Sequence, residues 1–232
     1  MKVVILAGGF GTRLSEYTDT IPKPMVPIGG KPIIEHIMNF YSNYGHNEFY
    51  IALGYKGEEI KKYFKNLKNN WKINLIDTGA NTLTGGRLKR LEKFLLKETF
   101  LLTYGDGISN ININELIEFH RSHKKMVTIS AVRPPARFGA LSLDGSNVLK
   151  FKEKKQLGES WINGGFFVIN PNFFQYLKGD KTVLEKEPLE KMTEIKELKA
   201  FKHEGFWQCM DHKLDKDYLE ELVITKKAPW IK

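Results

Sequence analysis

The chain has 232 residues, 41% of them hydrophobic and 27% charged, which suits one globular domain with at most a modest extension. The net charge of +9 draws anions. The lysine pairs at 61–62, 124–125, 154–155 and 226–227 are scattered, with no basic stripe interleaved with aromatics, so nucleic acid is not an expected partner.

The N-terminus has one positive charge, Lys2, and then about five apolar residues, too short a run for a signal-peptide core. Val3–Leu6 reads instead as a buried first strand running into glycines. No apolar run approaches the roughly 20 residues that cross a bilayer, and no membrane association is expected. Cys209 is the single cysteine, which excludes an intrachain disulfide and points to the cytoplasm.

Apolar residues at helical spacing (Ile33, Ile34, Ile37, Met38, Tyr41) predict a helix over 33–44. Strands are expected at Glu48–Leu53, Lys72–Ile76, Phe100–Tyr104 and Val127–Val132. Helices are expected at Glu58–Phe64, Arg87–Leu95 and Ile113–His123. Strands with continuous apolar runs, alternating with helices, predict a mostly parallel, Rossmann-like α/β sheet covered on both faces. After about residue 134 the pattern changes. Ala140–Leu143, Val148–Lys152 and Gly165–Ile169 predict mixed or antiparallel strands added to that sheet, with a turn at Asp144-Gly145-Ser146. Phe173–Leu177, Leu189–Ile195 and Leu214–Ile224 read as helices. One unit is expected over 1–232, with a nucleotide-binding half at 1–133 and a sugar-phosphate half at 134–232.

The first strand enters Leu6-Ala7-Gly8-Gly9-Phe10-Gly11-Thr12-Arg13-Leu14. Glycines there let backbone N–H groups face a phosphate chain. The segment is neither a dinucleotide fingerprint, because Leu14 stands where the third glycine belongs, nor a Walker loop. Prolines on both sides of Lys23 stiffen Ile21–Ile28 and favour an extended backbone there. An ammonium on such a mount suits phosphoryl charge, and Arg13 adds a planar fork of donors.

The loop together with Lys23-Pro24-Met25 resembles the signature of the sugar-1-phosphate nucleotidylyltransferases. Thr84-Gly85-Gly86-Arg87-Leu88-Lys89-Arg90, Tyr104-Gly105-Asp106-Gly107, Arg137-Phe138-Gly139-Ala140-Leu141 and Ile162-Asn163-Gly164-Gly165-Phe166-Phe167 are similar to the cytidylyltransferase branch of that family. So are Gly205-Phe206-Trp207-Gln208, Met210-Asp211 and Ala228-Pro229-Trp230, so the likeness runs nearly end to end. The resemblance implies a GT-A-like nucleotidyltransferase fold and a homo-oligomer. It also implies Mg²⁺-dependent transfer from CTP to a sugar 1-phosphate, α-D-glucose 1-phosphate in that branch. Arg13 and Lys23 are its catalytic residues. Leu6, Ala7, Gly8, Gly9, Gly11, Thr12, Thr84, Gly85, Arg87 and Asp106 face the nucleotide. Gly139, Glu153, Lys154, Asn163 and Gly164 face the sugar phosphate, and Asp106 and Asp211 are metal ligands. Two carboxylates and phosphate oxygens are a set that Mg²⁺ prefers. Cytosine presents acceptors at O2 and N3 and arginine offers only donors, so a fork from Arg87 would favour that base.

Three departures from the family stand out: a short link after Phe64, Lys155 in place of a proline, and Cys209 and His212 around the Met-Asp pair. A different base, or another sugar or polyol phosphate, is the nearest alternative reading. A catalytically silent nucleotide-binding homologue would be expected to lose Arg13, Lys23, Asp106 or Asp211, and all four are present.

Overall fold

Consecutive side chains of a strand point to opposite faces, so an unbroken apolar run can be buried only between two layers. β1 (Lys2–Ala7) behaves in this way: Val3, Ile5 and Ala7 enter one core, Val4 and Leu6 the other. The computed structural model describes residues 1–67, 69–134, 140–152 and 160–231. After β1 come α1 (Ser15–Thr18), a small ladder of β2 (Pro27–Ile28) and β3 (Lys31–Pro32), and α2 (Ile33–Ser42). Next are β4 (Glu48–Leu53), α3 (Gly57–Asn66), β5 (Lys72–Asp77), α4 (Thr84–Arg90), α5 (Glu92–Leu95), β6 (Phe100–Tyr104) and β7 (Gly107–Ser109). They are followed by α6 (Ile113–His123), β8 (Val127–Val132), β9 (Ala140–Asp144), β10 (Asn147–Lys152) and β11 (Ile162–Ile169). Finally come α7 (Glu187–Glu194), β12 (Leu198–His203), β13 (Trp207–Cys209) and α8 (Lys213–Ile224).

Seven strands form the central sheet in the order β12-β8-β11-β6-β1-β4-β5. β1 lies in its middle, parallel to β4 on one side and β6 on the other. Strand order reverses there, which opens a crevice at the C-terminal ends of the parallel strands. β11 alone runs against its neighbours β6 and β8. Strands from 1–133 and 134–232 alternate in this sheet, since β8 lies between β11 and β12.

Helices cover both faces. α2, α3 and α6 bury their apolar stripes on one side: Ile37, Phe40, Ile60 and Leu116 join Val3, Ile5 and Phe166. Leu88 of α4, Leu95 of α5 and Met192 of α7 close the other side with Phe100 and Phe167. Each such side chain contributes roughly 1.5–3 kcal/mol when fully buried. Among the described residues no helix is long and apolar enough to cross a membrane.

The second half differs from the sequence expectation in four places, one of them β13, a short strand that was not expected. Among the described residues β9 and β10 pair only with each other and do not extend the central sheet. β12, with polar residues on its exposed side, was not expected, yet it joins β8 in parallel as an edge strand. Phe173–Leu177 is not an α-helix. Pro171–Tyr176 forms a 3-10 turn, opened by Asn170, whose side chain accepts from the Asn172 N–H.

Candidate active site

Loops at the C-terminal ends of β1 and β6 and at the start of β11 surround a cavity of about 890 Å³. Leu6, Ala7, Gly8, Gly9, Gly11 and Thr12 line it, as expected for the glycine loop. Gly11 has φ +67°, and a Cβ there would fall 2.8 Å from the Thr18 methyl, so glycine alone fits without strain. The Thr18 hydroxyl donates to Gly11 O at 3.1 Å and fixes the turn from inside. Among the described residues the N–H groups of Gly9, Phe10 and Gly11 have no acceptor. An anion in the cavity would supply one.

Lys23 reaches the same cavity from a different backbone than the sequence suggested. Lys23–Met25 is a 3-10 turn, closed by Met25 N–H to Pro22 O and Val26 N–H to Lys23 O. The extended backbone lies at Pro22 and Val26. Two consecutive turn hydrogen bonds outweigh the bias that Pro24 places on the residue before it.

Asp106 and Asp211 are brought together by a two-stranded ladder. β7 pairs with β13, which sets Gly107 opposite Cys209, and Met210 N–H donates to Asp106 O at 2.9 Å. The start of α8 holds the second carboxylate's backbone, because Asp215 accepts from the N–H groups of Asp211 and His212 at 3.0 and 2.8 Å. The Lys23 ammonium donates to Asp106 Oδ2 and Asp211 Oδ1, each at 2.7 Å. Arg13, largely exposed, donates to Asp211 Oδ2 at 2.6 Å. Burial opposes charge on Lys23, but Asp106 and Asp211 outweigh it and raise its pKa above 10.5. Burial likewise opposes charge on Asp211, yet Lys23 and then Arg13 hold its pKa below 3.8.

The two carboxylates thus converge on one cation. Their donors are hard oxygens at the cavity wall, which fits Mg²⁺ bound through one or two carboxylates with phosphate oxygens and water. Among the described residues no group of three or more His, Cys, Asp or Glu side chains is placed to hold a metal. Cys209 adds no nucleophile. Burial and the nearby Asp211 and Asp106 push its thiol up to about 12, so it stays protonated near neutral pH. His212 is the N-cap of α8 and makes no pair with it.

Arg87 takes a different position from the one its sequence context suggested. α4 begins at Thr84, so Arg87 lies inside it and is 4% exposed. One terminal nitrogen donates to Gly8 O at 2.8 Å and Ala80 O at 3.1 Å. The other donates to Leu53 O, Gly79 O and the Thr78 hydroxyl, at 2.8–3.0 Å. Arg87 still lines the cavity, as expected, with its terminal N–H groups directed at the loops around it.

Two expected glycines do not line the cavity. Gly85 packs on Thr182, where a Cβ would come within 2.7 Å of a methyl. Gly164 is buried against Ser130 and Val132, and its carbonyl accepts from Trp207 Nε1 at 2.7 Å. Thr84 and Asn163 do line it. Gly139, Glu153 and Lys154 lie outside the described residues, as does Lys155. The structure adds Tyr104 and Trp207 to the walls. Tyr104 stood beside the Gly105-Asp106 motif and could have been taken from it. Gly165, at φ +79°, leaves room for the Tyr104 ring, which a Cβ would meet at 2.7 Å. Gly165→Ala should therefore destabilise the fold by about 2 kcal/mol, read from the urea midpoint, and a change under about 0.5 kcal/mol would contradict this packing.

Residues 2–211 match the family model described as nucleotidyl transferase. Glucose-1-phosphate cytidylyltransferase of Salmonella typhi is 47% identical over an alignment of 253 positions that covers 99% of this chain and 98% of that protein. Since the chain has 232 residues, some positions inside that span are filled only in the relative. Mannose-1-phosphate guanyltransferase of Saccharomyces cerevisiae is 32% identical, over 97% of this chain and 64% of that protein. Among solved structures, HddC of Yersinia pseudotuberculosis complexed with GMP-PN superposes with a TM-score of 0.76 at 30% identity. It covers 96% of this chain and 99% of HddC.

Proposed function

The chain belongs to the nucleotidyl transferase family, and from that premise we propose that it transfers the cytidylyl group of CTP to α-D-glucose 1-phosphate. The products are CDP-glucose and pyrophosphate. The observation that carries the reading is the convergence of Lys23, Asp106 and Asp211 at the mouth of the glycine loop. The 47% identity to a glucose-1-phosphate cytidylyltransferase supports the choice of substrates.

An oxygen of the sugar phosphate attacks the α-phosphorus of CTP. A new P–O bond forms as the bond from that phosphorus to the β-phosphate's bridging oxygen breaks, and pyrophosphate leaves with the electron pair. The attacking oxygen is already ionised near neutral pH, so no protein nucleophile is required. Positioning and charge stabilisation do the catalytic work. The free N–H groups of Gly9, Phe10 and Gly11 cradle the triphosphate, and Lys23 and Arg13 stabilise the charge that grows on the leaving pyrophosphate. Asp106 and Asp211 would hold Mg²⁺, which when bound supplies a divalent charge that draws phosphate oxygens into line. Asn163, at the start of β11, contacts the sugar phosphate. Arg87 supports the base side by fixing Gly8 and the 79–80 loop rather than by touching the base. The setting under this reading is the cytoplasm, where nucleotides and sugar phosphates are supplied, and the working unit a homo-oligomer.

Pyrophosphate release with Mg²⁺ and glucose 1-phosphate, in the presence of CTP, UTP, dTTP, GTP or ATP in turn, tests the reading. Release is expected with CTP above the others, and it should be lost in Asp106→Asn. Preference for GTP would keep the mechanism and move the substrate toward that of the guanyltransferase relatives. No release from any nucleotide, across a wider panel of sugar and polyol phosphates, would reject the enzyme reading.

A further inference from the structure

Glu185 lies on the segment before α7, in no motif of the glycine loop or of the aspartate pair, yet its carboxylate is tied to the cavity wall. Tyr104 Oη donates to Glu185 Oε1 at 2.5 Å. The Thr84 hydroxyl donates to Glu185 Oε2 at 2.7 Å and itself accepts from Leu184 N–H at 2.9 Å. A carboxylate only accepts, so it fixes the direction of both hydroxyl protons. With its proton directed at Glu185, Tyr104 Oη can act only as an acceptor toward Asn163, whose Nδ2 donates to it at 3.2 Å. The other end of the Asn163 amide is fixed independently, because Oδ1 accepts from Gly165 N–H at 2.8 Å.

The whole run, Leu184–Thr84–Glu185–Tyr104–Asn163, has one consistent set of donors and acceptors. It leaves the second Nδ2–H of Asn163 for the cavity that Asn163, Tyr104 and Thr84 line. We propose that Glu185 is a positioning residue for the sugar phosphate: through Tyr104 it holds the Nδ2 end of the Asn163 amide, whose Oδ1 end Gly165 N–H holds, and through Thr84 it ties that wall to the nucleotide wall. The inference rests on the reading that Asn163 faces the sugar phosphate. Glu185 itself is exposed and, among the described residues, bonds to Tyr104 and Thr84 and not to Lys23, Asp106 or Asp211, so its effect is expected on affinity for the acceptor and not on phosphoryl charge. Without the carboxylate, Tyr104 is free to turn its proton toward Asn163, and two donors then face each other.

Initial rates for wild type, Glu185→Ala, Glu185→Gln, Tyr104→Phe and Asn163→Ala test this, with KM taken separately for CTP and for glucose 1-phosphate. Glu185→Ala should raise the KM for glucose 1-phosphate about tenfold while kcat and the KM for CTP move by less than about threefold. Glu185→Gln keeps an acceptor for Tyr104 and should recover most of the loss. In the Asn163→Ala background, Glu185→Ala should add little, because the two act on one contact. An unaltered KM for glucose 1-phosphate in Glu185→Ala, with Asn163→Ala raising it, would overturn the positioning role and keep the sugar-side reading. A rise in the KM for CTP alone would also overturn it. An unaltered KM in Asn163→Ala would remove the sugar-side reading itself and the inference with it.

Discussion

Replacing Lys23 with methionine is expected to lower kcat/KM for the proposed reaction by roughly 10²–10³. Methionine keeps much of the side chain's length and apolar stem, and the residue is 8% exposed, so the loss should fall on charge more than on packing. The ammonium is the only group that touches both Asp106 and Asp211 among the described residues. Two carboxylates left facing each other resist joint ionisation, and one of them should take up a proton at a higher pH than in the wild type. The sign follows from the depressed pKa of Asp211. Its contribution to stability is present above the ordinary value of 3.8 and is lost as pH falls through the lower folded value. In the variant the carboxylate pair binds a proton more readily folded than unfolded, so its stability, reduced near neutrality, should recover as pH falls from about 6 to 4, whereas the wild type should show no such gain. Urea midpoints across that window, beside kcat/KM near neutrality, check both parts. A variant within tenfold of wild type in kcat/KM would show that Lys23 only holds the carboxylates apart.

The second large effect is on stability. Arg87→Met should cost about 3 kcal/mol, because the guanidinium joins five acceptors on three separate segments, β4 with its following loop, the 78–80 loop and the glycine loop. Arg87→Lys should recover little, since one ammonium cannot reach acceptors spread across a planar fork. The neighbouring glycines record the same contact. A Cβ on Gly8 would fall 2.2 Å from the guanidinium, and one on Gly54 2.3 Å. Equilibrium unfolding in urea gives the size, and the nucleotide panel separates the two roles considered for this residue. A shift from CTP toward UTP in Arg87→Met at full stability would restore the direct base contact read from the sequence. Lost stability with the CTP preference intact in the folded fraction would support the clamp.

Much of the architecture was legible in the sequence because strands buried on both faces need unbroken apolar runs, and helices between them need a 3.6-residue period. β1, β4 and β6 and the helices α2, α3 and α6 follow from those patterns to within a few residues. β12 did not, because an edge strand has one exposed side and reads as polar. The site was legible to the extent that its chemistry is local. The glycine loop announces itself by spacing, Lys23 by its flanking prolines, and Asp106 by the strand that ends before it.

What the sequence by itself determined is the sheet, its crevice and the residue types able to meet phosphate and metal there. Only the tertiary structure decided which side chains face that crevice. Asp211 reaches Asp106 through the β7–β13 ladder, a pairing between residues about a hundred positions apart that no local pattern encodes. Arg87 and Glu185 make the same point in opposite directions. The first read as a donor fork for a base, and the loops that fold over it present it with five acceptors for four terminal protons. The second carried no motif, and packing brought two hydroxyls to its carboxylate. Hydrogen bonds are satisfied by whatever the fold brings within about 3 Å, and that distance is a property of the assembled layers rather than of neighbours along the chain.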